Sequence, residues 1–460
     1  MQIKKYIGDK KFYKMVLLIA VPIMIQNGIT NFVSLLDNIM VGQIGTDQMS
    51  GVAIVNQLIF VFNVFIFGVI SGVGIFGAQF WGNKNHEGVR ETFRFKLIIC
   101  TVVSILVICI FRIMNNQLIS LFLHEGSSTG SIGDTLKYGC EYLDIMIIGL
   151  FPFAIMQAYS STLRETGETV LPMKAGIAAV FVNLVLNYIL IFGKLGAPRF
   201  GVNGAAIATV VSRFVECGIV IAWTHIHKKR NVFIVGAYKS LYISGNLVKQ
   251  IFLKGTPLMF NEMLWSAGMT VLVQCYSVRG LAVIAGINIA STISNVFSVV
   301  FISLGNSVGI IIGQLLGAGK MEEAKDTDTK LIFFSVVCCS VLGVVLLIIS
   351  PLFPNIYNTT GEVKHLATCF IISLALAMPL NAFTNAAYFT LRSGGKTVVT
   401  FLFDSMFAWI ISIPVAFILT RYTGISIVWI YFICQMLDGI KCIIGYVLVK
   451  SGVWIQNIVV

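Results

Sequence analysis

The sequence predicts an all-α integral membrane protein of twelve transmembrane helices, arranged as two pseudo-symmetric six-helix lobes. Three observations predict it. The 460 residues are 57% hydrophobic and only 11% charged, with a mean hydropathy of +0.89, whereas a soluble domain carries about 25% charged residues. Twelve apolar runs reach the roughly 20 residues that a helix needs to cross the hydrocarbon. The second half of the chain also repeats the first.

The spans fall near 14–41, 51–81, 95–115, 137–161, 170–193, 203–226, 254–279, 281–316, 330–352, 363–390, 397–420 and 425–449. The N-terminus, "MQIKKYIGDKKFYKMVLLIAVPIMIQ", is basic and then apolar, like a signal peptide. No small-x-small cleavage site follows, so it is expected to stay as the first span. The connections sort the charge. The N-terminus, the even-numbered loops and the C-terminus hold 23 of the 32 basic residues, Arg164 and Arg392 among them, against seven in the odd-numbered loops. By the positive-inside rule both termini face the cytoplasm. The net charge of +12 is therefore a topology signal, not a nucleic-acid footprint. Ten cysteines lie almost all within apolar runs with no metal or redox spacing, and read as small buried hydrophobes.

The sixth connection, "HIHKKRNVFIVGAYKSLYISGNLVKQIFLKG", is the longest and alternates cationic with apolar residues. It is expected to lie on the inner membrane surface. It divides the chain into an N-lobe, 1–226, a linker, 227–253, and a C-lobe, 254–460. A shift of 235 positions lays Pro22 on Pro257, Gly45 on Gly280, Gly51 on Gly286, and Gln79, Gly82 and Glu87 on Gln314, Gly317 and Glu322. A second pair, "LRETGETV" (163–170) and "LRSGGKTV" (391–398), is offset by 228. Repeats of whole lobes mark secondary transporters.

These motifs carry a family resemblance. "LLDNIMVGQIG", the paired "GAQFWG" and "GQLLGAG", the two LR-x-x-G loops, "VNLVLNYILIFG" and the closing "SGVWIQN" resemble the multidrug and toxic compound extrusion (MATE) transporters, prokaryotic type, over essentially the whole chain. The resemblance implies the MATE/MOP-superfamily fold. It also implies cation-driven export of amphipathic, often cationic, organic compounds through a cleft open to one side at a time.

Ionisable groups inside spans are costly and functional by default. Gln26, Thr30, Ser34 and Asp37 are spaced to form one polar stripe on the first helix. Burial there would make Asp37 able to take up and release a proton or a cation. Asn183 and Asn187 share a face of span five and can supply oxygen ligands. In span seven Glu262 lies beside Trp265 and Asn261, a receptor for a lipophilic cation by charge pairing and cation–π attraction. Asn288, Ser291, Asn295 and Ser298 form a polar face on span eight. The resemblance makes Asp37 the coupling residue of the first helix and Glu262 a cation or substrate site. It places an acid in span ten, where this chain has Asn381, and Asp404 in span eleven is the compensating acid. Na+ at Asp37 and Glu262 and a proton satisfy this chemistry equally. Glu141, Asp144 and Lys441 are expected at helix ends in interfacial water, and Glu216 and Asp438 as matched anchors of the two lobes.

The expected partners are small amphipathic substrates and the lipid bilayer, with no nucleic acid. A multi-pass monomer in the cell membrane needs no cofactor beyond H+ or Na+. The rival reading is a flippase for lipid-linked envelope precursors, which would favour cationic clefts over the mostly acidic charges seen in these spans. A membrane transferase would need a DDxxD-like or His/Asp pair, and the sequence has none.

Overall fold

The computed structural model describes residues 6–42, 44–122 and 132–459, with the side chains of 33–35, 38, 39 and 46 outside the description. The Ser34 side chain of the predicted polar stripe therefore lies outside the description. Twelve long helices run in sequence among those described: α1 (Lys10–Gly42), α2 (Thr46–Gly82), α3 (His86–Ile113), α4 (Ile132–Glu165), α5 (Val170–Phe192), α6 (Val202–Ile226), α7 (Gly245–Ser277), α8 (Leu281–Gly317), α9 (Met321–Ile349), α10 (Gly361–Ser393), α11 (Thr397–Tyr422) and α12 (Ile427–Lys450). Eleven are long and apolar enough to span a bilayer. The exception is α7, where Lys249, Lys254, Asn261 and Glu262 dilute the apolar residues of a helix 33 residues long. No strand occurs among the described residues.

The repeated motifs punctuate these helices. At the end of α4 the Glu168 N–H donates to the Leu163 carbonyl and the Gly167 N–H to that of Arg164. At the end of α10 Lys396 donates to Leu391 and Gly395 to Arg392. Each is a helix stop that needs a residue in the left-handed region, and Gly167 (φ +89°) and Gly395 (φ +72°) supply it. The LR-x-x-G loops thus repeat because both helices end in the same way. After α8 Gly319 does the same at φ +73°, while its repeat partner after α2 is Lys84 at φ +57°.

Two compact units divide the chain: Ile25–Gly77 with His86–Val248, and Met1–Met24 with Ala78–Asn85 and Lys249–Val460. The first is packed around Val55, Phe62, Ile66, Leu143 and Leu150. The second joins Val16, Ala20 and Ile23 of α1 to Leu304, Val308, Ile312, Leu331 and Trp454. Large apolar side chains such as Phe181 (69% exposed), Ile410 (68%) and Ile443 (67%) point outward, as a lipid-facing surface requires.

The linker is docked onto α3, with Tyr238, Leu241 and Tyr242 left exposed. Phe233 and Ala237 are buried, with Phe233 ringed against Phe93 of α3 at 5.1 Å. Arg94 of α3 then donates to the carbonyls of Ala237 (2.9 Å), Gly236 (3.0 Å) and Tyr242 (3.1 Å). Three backbone acceptors converging on one guanidinium fix the segment there. Lys441 is not at a wet helix end. Its ammonium is largely buried and 2.5 Å from an Asp404 oxygen, because α12 packs against α11 there.

Candidate functional site

Interior polar side chains gather at one place in each unit. In the first unit, Asn187 of α5 donates from Nδ2 to Asp37 Oδ1 of α1 (2.6 Å) and to Asn183 Oδ1 (3.1 Å). Asn183 donates in turn to Thr209 Oγ1 of α6 (3.3 Å). Asn183 and Asn187 are four apart, one helical turn, so both face the same neighbour. Asn187 Oδ1 is buried with no donor. Oxygen atoms therefore dominate this cluster of side chains, and among the described residues the carboxylate's one direct partner is a neutral amide.

A second cluster continues from there. Arg164 donates to Gln26 Oε1 at 3.0 Å and acts electrostatically on Glu216, which also feels Arg213. Gln26 and Glu216 both abut Gly176, and the Arg213 guanidinium lies 5.1 Å over the Phe153 ring. Tyr142 of α4 lies within electrostatic reach of both Asp37 and Arg213. Of the stripe on α1, the structure engages Gln26 and Asp37. Thr30 is exposed and donates to the Gln26 backbone carbonyl.

In the other unit, Tyr388 of α10 donates to Glu262 Oε1 of α7 at 2.9 Å. Asn261 Nδ2 donates to Asp404 Oδ2 (3.0 Å) and toward the Tyr388 oxygen (3.3 Å). The Asp404 side chain is held on its other oxygen by Lys441. Ser405 fastens α11 to α7 through the Asn261 carbonyls, Oγ to the backbone O at 2.6 Å and to Oδ1 at 2.7 Å. The local backbone explains this reach. Over Leu402–Met406 and Ala408–Ser412 α11 is a π-helix, a widened turn frequent at functional sites. Farther along, the Trp409 indole donates to the Leu264 carbonyl at 2.9 Å, and it packs against Gly268.

Several sequence-derived residues are not joined to these groups. Trp265 is 43% exposed. Asn288 and Asn295 are exposed and serve neighbouring hydroxyls through their backbone carbonyls. Asn381 is half-buried, and its backbone carbonyl accepts from Thr384. Of the helix-end acids, Asp144 pairs with Arg112 at 2.8 Å on an exposed edge, and Glu141 accepts from Asn203 at 3.3 Å.

The residues that sequence reasoning missed are Arg164, Arg392, Tyr388 and Lys441. Arg164 and Arg392 count as loop cations by position, yet both sit in the last turns of their helices. Arg392 is 9% exposed and acts on Glu262. Their equivalence at offset 228 was the available signal, since a matched arginine in both halves marks shared architecture. Tyr388 and Glu262 are 126 positions apart, beyond any local spacing.

Duplicated helical halves, with ionisable side chains turned inward, define a polytopic membrane protein of the transporter type. The sequence pattern of the MatE family matches residues 22–189 and 257–418, and the chain belongs to that family. The two matched segments begin 235 positions apart, the shift of the internal repeat. The chain is 24% identical over 440 residues to the probable multidrug resistance protein NorM of Thermotoga maritima, covering 95% of this chain and 92% of the relative. Against the probable multidrug resistance protein YoeA of Bacillus subtilis it is 24% identical, covering 93% and 92%. Its fold superposes on a MOP superfamily transporter from Pyrococcus furiosus with a TM-score of 0.85 at 19% identity, covering 98% of each chain. The same score relates it to the Vibrio cholerae MATE transporter VcmN at 15% identity, covering 97% and 98%.

Proposed function

We propose that the chain is a secondary antiporter that couples H+ or Na+ entry to the export of small amphipathic, often cationic, organic compounds. It works by alternating access between lobes 1–226 and 254–460, as a monomer in the cell membrane with both termini cytoplasmic. One observation carries the reading. Among the described residues, Asp37 and Glu262 are interior carboxylates whose direct partners are neutral, Asn187 and Tyr388 respectively. Glu165 and Asp404, by contrast, are held by the ammonium groups of Lys96 and Lys441. A carboxylate withdrawn from water without a bound cation must find a proton or an ion. An exchangeable cation is what coupling requires.

The wider charge balance supports both acids. The Arg164 and Arg213 guanidinium groups act on Glu216, not on Asp37. Around Glu262 three carboxylates, with Asp404 and Asp438, face Arg392 and Lys441 among the described residues. One negative charge is left over there, which suits Glu262 to receive a cation. Asp404, already neutralised, serves to position Asn261. Family membership and the names of the relatives support drugs as substrates rather than lipid-linked precursors.

The test uses purified protein in liposomes loaded with a fluorescent cationic dye, under a proton or a sodium gradient. Wild type should move dye under one gradient, Glu262→Gln should lose that response, and Asp37→Asn should weaken or lose it. Dye movement that ignores both gradients would refute coupling, and wild type that moves no dye would bring the flippase forward.

A further inference from the structure

A third interior carboxylate has only a neutral partner, and it belongs to neither group above. Asp328 of α9 is 1% exposed. The Thr390 hydroxyl of α10 lies 2.5 Å from Asp328 Oδ1 and 3.0 Å from the Ala386 carbonyl of its own helix. Asp328 Oδ2 is buried and meets no donor.

Hydrogen counting and the unpartnered Oδ2 together favour the protonated state. A threonine hydroxyl owns one hydrogen, yet two acceptors stand within bonding distance of it. If Asp328 were ionised, that hydrogen would go to Oδ1, the Ala386 contact would hold no hydroxyl hydrogen, and a full charge would be buried with Oδ2 meeting no donor. With a proton on Oδ1 the carboxyl donates to Thr390 Oγ1, and Thr390 donates to Ala386. Each short contact then holds one hydrogen, and Oδ2 is an uncharged carbonyl oxygen.

The N-terminal half shows the alternative solution. Thr162, the repeat partner of Thr390, lies 3.2 Å from Lys96 Nζ, which binds both Glu165 oxygens at 2.6 and 2.7 Å. In the second half offset 235 puts Leu331 in place of Lys96, and offset 228 puts Ser393 in place of Glu165. The threonine is kept, the acid stands on α9, and the ammonium is gone.

Among the described residues no other charge fills the gap. On α9 itself Lys330 pairs with Asp326 and Lys320, just before the helix, with Glu323, while Lys325 is exposed. On α10 Tyr388 donates to Glu262 and Arg392 lies over the Phe389 ring. The neighbouring part of α8 offers Ser303 and Ser307, and that of α1 offers Lys10, Lys11, Tyr13 and Lys14. Among the described residues none of these forms a hydrogen bond or an ion pair with Asp328, whose one bonded partner is Thr390.

We propose that Asp328 is a proton-binding site, a neutral carboxylic acid whose proton is shared with Thr390 and held by the packing of α9 on α10. The proton is taken from water and returns to it only when that contact opens. The site is separate from Asp37 and Glu262 and stands whether or not either of them couples transport.

Infrared spectroscopy of the full-length protein in lipid tests it. At neutral pH wild type should show a protonated-carboxyl C=O band that shifts in D2O, and Asp328→Asn should lose one carboxyl's share of it. A folded Asp328→Asn protein with the band unchanged overturns the proposal. If that variant does not fold, Thr390→Val is read instead. Removing the acceptor should shift the Asp328 band to higher frequency without abolishing it, and an unshifted spectrum overturns the proposal equally.

Discussion

Gly82 and Gly317, matched by the repeat, pack against each other's helices reciprocally. A Cβ on Gly82 would run into the Gln314 carbonyl, with its carbon only 2.7 Å away, and a Cβ on Gly317 would run into the Gln79 carbonyl, with its carbon 2.6 Å away. Both obstacles are backbone, which no rotamer change can move. Either alanine must therefore push the last turn of α2 and the end of α8 apart by about 1 Å to restore van der Waals contact. Overpacking of this kind costs about 1–3 kcal/mol. The strain has further reach, because Gln79 is fully buried and its side chain donates to the Ser393 carbonyl (2.8 Å) and accepts from the Ile458 N–H (2.8 Å). Asn457 ties the same segment to the Gly317 carbonyl at 3.1 Å. Thermal unfolding of the purified protein should show each single alanine lowering the melting temperature. The double variant should lose less than the sum, because one separation relieves both clashes. Single alanines with unchanged melting temperature, or strictly additive losses, would refute a reciprocal backbone contact.

Three further outcomes are expected. Lys441→Met leaves Asp404 a buried charge without its ammonium and should cost about 3–5 kcal/mol, most of it recovered by adding Asp404→Leu; thermal melts of the single and double variants check this. Arg94→Ala removes the donor shared by three linker carbonyls. It should cost about 1.5–3 kcal/mol, and limited proteolysis should then cut between residues 235 and 245, where wild type resists. Asn187→Ala strips Asp37 of its one direct donor and should destabilise by about 1–3 kcal/mol. Asp37→Asn in the same background should remove that penalty, and a loss that persists would mean Asn187 acts through packing instead.

Periodicity and the repeat made the architecture legible, and they made part of the sites legible too. The stripe through Gln26 and Asp37 and the face of Asn183 and Asn187 were readable because each lies on one helix with turn spacing. What was not readable crosses between helices. Asp404 had the look of a free acid until Lys441, on the next helix, was found against it. The linker's alternation gave no sign that Arg94 of α3 would hold three of its carbonyls. Asp37 and Glu262 are also not repeat partners, since offset 235 places Leu272 and Asn27 at their positions. The duplication thus describes the scaffold and not the acids.

The sequence by itself determined the twelve helices, their duplication and the inward polar faces. Lipid leaves a backbone no choice but internal hydrogen bonding, and apolar length and helical period are written locally. Only the tertiary structure decided which carboxylates are neutralised. Lys96 meets Glu165, Lys441 meets Asp404, and among the described residues Asp37, Glu262 and Asp328 meet amide or hydroxyl groups. Whether a buried charge has a counter-ion depends on contacts of a few ångströms between residues far apart in the chain, and no spacing along one helix records them.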